Sequence, residues 1–166
     1  MKHLTLFLFF VISLLAHSTN AQVSSTAVAS ATIVSPINIL KTDDLNFGNV
    51  AVSSNPGTIS ITPGSTRQIT GGVTLPSATG NPGAASFTVS GEPSFTYAIT
   101  LPTTVTISSG ADDMIITNFE SMPSGTGTLI SGLQVLQIGA TLQVDGSQVP
   151  GTYISTAPFE VTVNYN

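Results

Sequence analysis

Carboxylates are the side chains in this sequence with the most evident chemistry. The 166 residues contain eight acids, three Lys and Arg, two His, and neither Cys nor Trp. Two pairs of acids are adjacent, Asp43-Asp44 and Asp112-Asp113. Calcium prefers oxygen ligands, but neither pair has the alternating Asp spacing of a dedicated calcium loop. We interpret both pairs as turn residues beside strands, because Asp side chains stabilise turns, and calcium binding by either pair stays open.

Two carboxylates can also hydrolyse a glycosidic bond when they lie roughly 5–10 Å apart. The eight acids are the sole basis for a hydrolase hypothesis, and a catalytic site needs a constellation of groups rather than a carboxylate alone. The chain also has no Trp to line a sugar subsite. The sequence therefore predicts a protein that is not an enzyme, with no catalytic, cofactor-binding or metal-binding residues and no cofactor.

The first 21 residues have the pattern of a secretory signal peptide. Lys2 and His3 precede an apolar run over residues 4–16, a polar stretch over 17–20 and then Ala21. The apolar run is too short for a membrane anchor, which needs roughly 20 residues. We predict cleavage before Gln22 and export to the periplasm, the cell surface or the medium.

Removal of this leader would leave Lys41 and Arg67 as the basic residues and no His at all. A Ser-His-Asp triad, a Cys nucleophile and a zinc site of imidazole or thiolate ligands are then excluded. Two basic residues cannot neutralise enough phosphates for nucleic-acid binding. The sequence accordingly predicts neither a nucleic-acid partner nor a membrane partner after cleavage.

Beyond the leader, apolar and polar residues alternate with the period of β-strands. The last strand places Phe159, Val161, Val163 and Tyr165 on one face. A second run alternates over 137–144, and the change of phase between Val135 and Leu136 predicts a β-bulge or a bend there. Asp145-Gly146 predicts a two-residue hairpin. Further strands are predicted at 58–62, 67–75, 84–91, 95–101, 104–107 and 113–119.

About eight to ten short strands separated by Gly- and Pro-containing turns predict an all-β protein. We expect an immunoglobulin-like or Greek-key β-sandwich, preceded by a cleavable signal helix. The predicted organisation is a signal peptide at 1–21, an Ala/Ser/Thr-rich N-terminal arm or first strand at 22–41, and the sandwich domain at 42–166. Tyr97 and Tyr165 fall on inward positions, so we expect core packing with each hydroxyl bonded to a backbone group.

Several segments, in this order and spacing, carry a resemblance to a known family. They are Leu45-Asn46-Phe47-Gly48, Gly57-Thr58-Ile59, Gly71-Gly72-Val73, Ala84-Ala85-Ser86-Phe87-Thr88-Val89-Ser90-Gly91, Tyr97-Ala98-Ile99-Thr100-Leu101-Pro102, Ile138-Gly139-Ala140-Thr141-Leu142, Pro150-Gly151-Thr152-Tyr153 and Phe159-Glu160-Val161-Thr162-Val163-Asn164-Tyr165. Over residues 42–166 the chain resembles the bacterial domain of unknown function 4402 family. The resemblance implies an exported β-sandwich and carries no activity or ligand.

The closing pattern, Gly151-Thr152-Tyr153 followed by a strand that ends in Tyr165, also resembles spore-coat-U-type and chaperone–usher pilin domains. That resemblance implies a pilin-like fold and self-assembly by exchange of strands. The chain lacks the disulfide of many pilins. Its N-terminal arm also has small residues in place of the bulky alternating apolar residues of a donor strand, which argues against strand donation.

These observations predict an exported, non-enzymatic structural or adhesive component of a Gram-negative cell surface, fimbrial-like in kind. Its expected partners are further copies or other surface proteins, bound by pairing of edge strands. The alternative is a secreted module that binds a glycan or a protein through Tyr153 and the neighbouring turns. Whether residues 22–35 occupy an edge of their own sandwich decides how such pairing would occur.

Overall fold

The computed structural model describes residues 21–166, and all but Ala21 of the predicted signal peptide lies outside them. The chain divides into two units, Met1–Ile33 and Val34–Asn166. In the first unit, the described residues 21–33 form neither helix nor strand, and each of them is exposed. Within the described part of the chain, no helix has the length and apolarity to cross a membrane.

The second unit is built of β-strands. The strands described there are β1 Asn38–Asp43, β2 Ala51–Ile61, β3 Arg67–Thr74, β4 Ala85–Ser90, β5 Thr96–Thr100, β6 Val105–Ser109, β7 Asp112–Met122, β8 Thr126–Thr128, β9 Leu133–Val144, β10 Ile154–Ser155 and β11 Thr162–Tyr165. The alternation of apolar residues located most of them. It missed β1, β8 and β10, of which the last two have only three and two residues.

The strands form two antiparallel sheets over residues 38–165. The larger sheet has the order β1-β4-β9-β7-β6-β10, and β2 pairs with both β3 and β9. The smaller sheet has the order β11-β5-β8. The chain passes from β4 in the large sheet to β5 in the small sheet and back to β6, a crossover typical of Greek-key sandwiches. The predicted all-β sandwich is confirmed.

Strand β9 connects the parts of the large sheet. Its first half, Leu133 to Ile138, pairs with β4, and its second half, Ala140 to Val144, pairs with β2 on the same side. Gly139 is the residue between these two partners. A Cβ atom there would overlap the carbonyl oxygen of Ile61. Glycine therefore lets the end of β2 approach β9 at the point where the partner strand changes.

Two hydrophobic clusters share the inner face of β9. Ala140, Leu142 and Val144 belong to a first cluster, which β2, β3, β6 and β7 complete with residues such as Ile59. Leu136 and Ile138 belong to a second cluster, which lies between the two sheets. Its other buried members are Ala85, Phe87, Val89, Tyr97, Leu129 and Val163. Burial of these apolar side chains is the main source of stability, since the chain has no disulfide.

The predicted bulge between Val135 and Leu136 is wrong. Strand β4 pairs with β9 from Leu133 to Ile138 without a shift of register. Leu133 and Val135 simply face outward, with 57% and 59% of their surface exposed. Because these two apolar residues lie on the outer face, the sequence pattern changes phase although the strand itself is regular.

The predicted hairpin at Asp145-Gly146 is also wrong. The chain does turn there, because the Gln148 amide donates to the Asp145 carbonyl at 3.3 Å. The next strand, β10, pairs with β6 instead of β9. The Ser147 amide donates to the Ser53 carbonyl at 2.8 Å, so the loop after β9 docks on β2 and the chain does not return along β9.

Tyr97 ties the small sheet to β9. The side chain is fully buried, and its hydroxyl donates to Oε1 of Gln134 at 2.9 Å. The same oxygen accepts the Thr128 amide of β8 at 2.8 Å. Gly127, the cross-strand partner of Tyr97, leaves room for the ring, because a Cβ there would overlap the phenol. The hydroxyl thus reaches a side chain and not the backbone group that we expected.

We predict that Gly139→Ala lowers the free energy of unfolding by about 1–3 kcal/mol, since the added methyl group must displace backbone in a packed region. Gly83→Ala is the matched control, because apart from its two chain neighbours no residue has an atom within 4 Å of the position of its Cβ. It should change stability by less than about 1 kcal/mol. Urea denaturation of both variants measures the difference, and equal effects would contradict this role of Gly139.

A second prediction concerns pH. Burial raises the pKa of Tyr97 above 10.0, because the charged phenolate is poorly solvated in the core. The raised pKa means that Tyr97 contributes stability fully below pH 10 and loses that contribution as the pH rises through the pKa of the folded state. Urea midpoints measured from neutral to alkaline pH should therefore fall less steeply in Tyr97→Phe than in wild type. Parallel curves would contradict the prediction.

Candidate interaction surface

The acid pairs singled out in the sequence are not brought together into one site. Asp44 forms an exposed ion pair with Lys41 at 2.5 Å, and Asp43 ends β1 opposite Ser86. Asp112 and Asp113 begin β7 in the hairpin with β6. Among residues 21–166 there is no group of three or more His, Cys, Asp and Glu side chains that could hold a metal ion. Both pairs lie at strand ends, as expected for turn residues.

An open cavity of about 570 Å³ lies beside β5 and β7. Ile99, Leu101, Phe119 and Met122 supply its apolar lining, and Glu120 is its one ionisable residue. General acid–base catalysis in this cavity would therefore rest on a single carboxylate. Such a cavity offers apolar surface rather than a set of reactive groups.

Tyr153, the aromatic residue proposed for ligand recognition, is engaged in its own loop. Its hydroxyl donates to the Val149 carbonyl at 2.7 Å and accepts from Nε2 of Gln148 at 2.9 Å. Its half-buried ring packs against the first hydrophobic cluster. These contacts hold the loop between β9 and β10 against the core.

The outer strands of both sheets carry unpaired backbone hydrogen-bonding groups on their free sides. β1 and β3 are long edge strands, but they carry charged residues, Lys41 and Asp43 on β1 and Arg67 on β3. Charges of this kind protect an edge from pairing with another chain. β11 has the sequence Thr-Val-Asn-Tyr without a charge and pairs only with β5 on its other side. We call the free side of Thr162–Tyr165 the β11 edge.

Tyr165 joins the end of β11 to the segment that precedes β1. Its hydroxyl accepts the Glu92 amide at 2.6 Å and donates to the Ser35 carbonyl at 2.8 Å. The Ser35 amide in turn donates to Oε2 of Glu92 at 2.8 Å. Gly91 permits this arrangement, since a Cβ there would overlap the Tyr165 hydroxyl. We call Ser35, Glu92 and Tyr165 the clasp.

The sequence placed Tyr165 correctly on an inward position with its hydroxyl bonded to backbone groups, and the side chain is half-buried against the second cluster. It did not indicate the other clasp residues. Ser35 and Glu92 lie 130 and 73 positions away from Tyr165 along the chain. No local pattern marks residues that meet over such separations.

The outer strands of the two sheets approach each other at the clasp, where Tyr165 of β11 bonds to Ser35, three residues before β1. Ile37 lies one residue before β1 and Ile39 lies within it. Both are half-buried and pack against the second hydrophobic cluster. Val161 lies one residue before β11 and Tyr165 is its last residue. Both are half-buried and pack against that same cluster. Among the described strands none lies along either free edge. We call these four residues and the edges beside them the β1–β11 seam.

A model of one protein family matches this sandwich. The family described as Domain of unknown function (DUF4402) matches residues 37–165. The chain belongs to that family. Comparison with curated proteins and comparison with solved structures each gave no match. The DUF4402 match begins one residue before β1 and ends in β11, so it spans both sheets and both strands of the seam.

We predict that Tyr165→Phe destabilises this DUF4402 protein by about 1–2 kcal/mol, because it removes two hydrogen bonds and leaves the Glu92 amide without its acceptor. The phenyl ring would keep its edge-to-face contact with Phe95, at 5.4 Å between centroids. Hydrogen exchange at the Glu92 amide should become faster. Tyr153→Phe, which removes a hydroxyl elsewhere, should leave that amide unchanged, and unchanged exchange in both variants would refute the clasp.

Proposed function

We propose that this DUF4402 protein is an exported, non-enzymatic structural component of a Gram-negative bacterial surface, fimbrial-like or adhesive in role. It associates with further copies, or with other surface proteins, by pairing of sheet edges. The observation that carries the proposal is the β1–β11 seam, where residues in or beside both outer strands pack against one cluster and β11 is free of charge. An unpaired edge is a template for a strand of another chain.

The distribution of reactive groups supports a structural role. Among residues 21–166 no three acids form a group that could hold a metal ion, and the cavity beside β5 and β7 has one carboxylate. Backbone amides and carbonyls at an edge need no ionisable side chain to bind a partner, because main-chain hydrogen bonds supply the affinity. A chain with so few charges is suited to this mode of association.

The glycan-binding alternative has less support. It depended on an accessible Tyr153, and the hydroxyl of this residue already has two partners within its loop. A sugar would have to replace these hydrogen bonds or bind to a ring that is half-buried against the core.

Sedimentation velocity of protein purified after expression with its own leader tests the proposal. We expect association that increases with protein concentration. Thr162→Lys places a charge on β11 and should weaken association by about tenfold or more, since lysine blunts an edge strand. Thr126→Lys makes the same change on β8, the opposite outer strand of the small sheet, and should have little effect.

Immunogold labelling of intact cells provides the second measurement, and surface polymers that contain the protein are the expected result. If the protein sediments as a monomer at every concentration and the cell surface carries no such polymer, the proposed function is wrong. If both lysine variants weaken association equally, association does not use the β11 edge.

A further inference from the structure

We propose that the outward side of β4 and β9 is a second association surface, on which two copies of this chain pack face to face as a symmetric dimer. We call this surface the outer β4–β9 face and define it by two cross-strand pairs, Thr88 with Val135 and Ser90 with Leu133. The contact uses side chains and not strand edges. It therefore goes beyond the proposed function and does not depend on it.

Large apolar side chains are exposed on and around this face. Leu133 and Val135 of β9 each have more than half of their surface exposed. Leu40 of β1 lies in the same row across the sheet as Val135, and it is exposed to a similar degree. Met122 of β7 lies opposite Gln137, the next outward residue of β9, and is also exposed. Scattered apolar residues are ordinary on a protein surface, whereas a contiguous patch marks a contact surface.

The other end of the large sheet has a polar outer side. Where β9 pairs with β2 and β7, the outward residues are hydroxyl and amide side chains, Thr58, Ser60, Thr117, Thr141 and Gln143. The exposed apolar residues of that end each lie opposite a polar one, Ile115 opposite Thr106 and Ile154 opposite Ser108. The apolar patch is thus a local feature of β1, β4 and the first half of β9.

The sizes of the side chains make the outer β4–β9 face complementary to itself. Between the larger residues of β1 and β9, strand β4 presents the small outward residues Ser86, Thr88 and Ser90. Leu133 and Val135 therefore form a ridge beside a groove. A two-fold axis parallel to these strands, between β4 and β9, would lay the ridge of each copy in the groove of the other. Val135 of one copy then lies over Thr88 of its partner, and Leu133 lies over Ser90 in the neighbouring row.

This arrangement satisfies the general requirements of packed sheets. Large residues that face small ones interdigitate, which lets two sheets approach to about 10 Å. A two-fold contact is also the same on both partners, so a single patch suffices to form it. A chemically different partner would need its own matching ridge and groove.

Charge also favours a second copy as the occupant. The chain has a net charge of −5, so most contacts between copies bring like charges together. The three rows that cross β1, β4 and β9 here contain one charged residue, Asp43, at the outer end of the row of Ser86 and Gln137. In the two-fold packing the two Asp43 residues lie about three strand spacings, or about 14 Å, apart, which is beyond the screening length at physiological salt.

A membrane is a poorer occupant of the same face. The anionic surface of a membrane attracts Lys and Arg. The rows that cross β1, β4 and β9 in this region contain neither residue. The outer β4–β9 face therefore has no electrostatic attraction for lipid head groups, and the acidic chain around it is repelled by them.

The expected dimer is weak. The face is four strands wide, from β1 to β7, and about six residues long, which corresponds to about 20 Å in each direction. Contacts of this size lie at the low end of specific interfaces, and we expect a dissociation constant in the micromolar range. Such a contact becomes effective between copies that are already held close together, as they are within a surface structure.

Sedimentation equilibrium of the protein, expressed with its own leader, tests the dimer. All variants carry Thr162→Lys, which blunts the β11 edge and leaves the outer β4–β9 face intact. Val135→Lys should raise the dissociation constant by about tenfold or more, because it places an ammonium group against the partner. Ile115→Lys is the matched control, since it makes the same change at an exposed residue on the same side of the sheet. It should change the constant by less than about twofold.

A charge exchange between two copies tests the register. Thr88→Asp alone should also weaken the dimer, because its carboxylate would lie under Val135 of the partner. Mixed with Val135→Lys, it should form a heterodimer in which the lysine of one copy lies over the aspartate of the other. Thr106→Asp, at the other end of the sheet, is the control and should form no heterodimer with Val135→Lys. Fluorescence-detected sedimentation with the label on the Val135→Lys chain measures both mixtures.

The results separate this inference from the proposed function. A Thr162→Lys protein that stays monomeric up to about millimolar concentration overturns the inference, and so do equal effects of Val135→Lys and Ile115→Lys. If the monomer instead binds vesicles of phosphatidylcholine and Val135→Lys releases it, the face contacts lipid and the inference is wrong. A dimer that Val135→Lys dissociates, in a wild type that forms nothing larger, upholds the inference and refutes association through the β11 edge.

Discussion

The fold depends on the way in which β9 changes partners at Gly139. One strand pairs with β4 along its first half and with β2 along its second half, while its inner face supplies residues to both hydrophobic clusters. A side chain at Gly139 would collide with the end of β2. The two halves of the large sheet therefore share one continuous strand, and burial of the apolar residues on that strand stabilises both clusters.

Two tyrosine hydroxyl groups link the small sheet to the large sheet and to the segments beside it. Tyr97 reaches Gln134 of β9 from within the core, and Tyr165 bonds to backbone groups of Ser35 and Glu92 at the surface. Both tyrosines face a glycine that leaves space for the phenol, Gly127 for Tyr97 and Gly91 for Tyr165. These attachments bring β11 close to the start of β1. The outer strands of the two sheets consequently approach each other at the clasp.

The surface that results has few groups with which to do chemistry and many that can form hydrogen bonds. The long edges β1 and β3 are protected by charges, and β11 is not. A structural role that relies on main-chain pairing is consistent with this distribution.

The sequence by itself determined the class of fold and the inward face of most strands, because alternation of side chains is a local property of each strand. It placed Val163 and Tyr165 correctly for that reason. Only the tertiary structure decided which strands pair, since register and partner depend on residues far apart in the chain. Leu133 and Val135 face outward, the chain after Asp145 crosses to β6, and Ser35 meets Tyr165 across 130 positions. The β1–β11 seam arises from such contacts, and no local pattern encodes it.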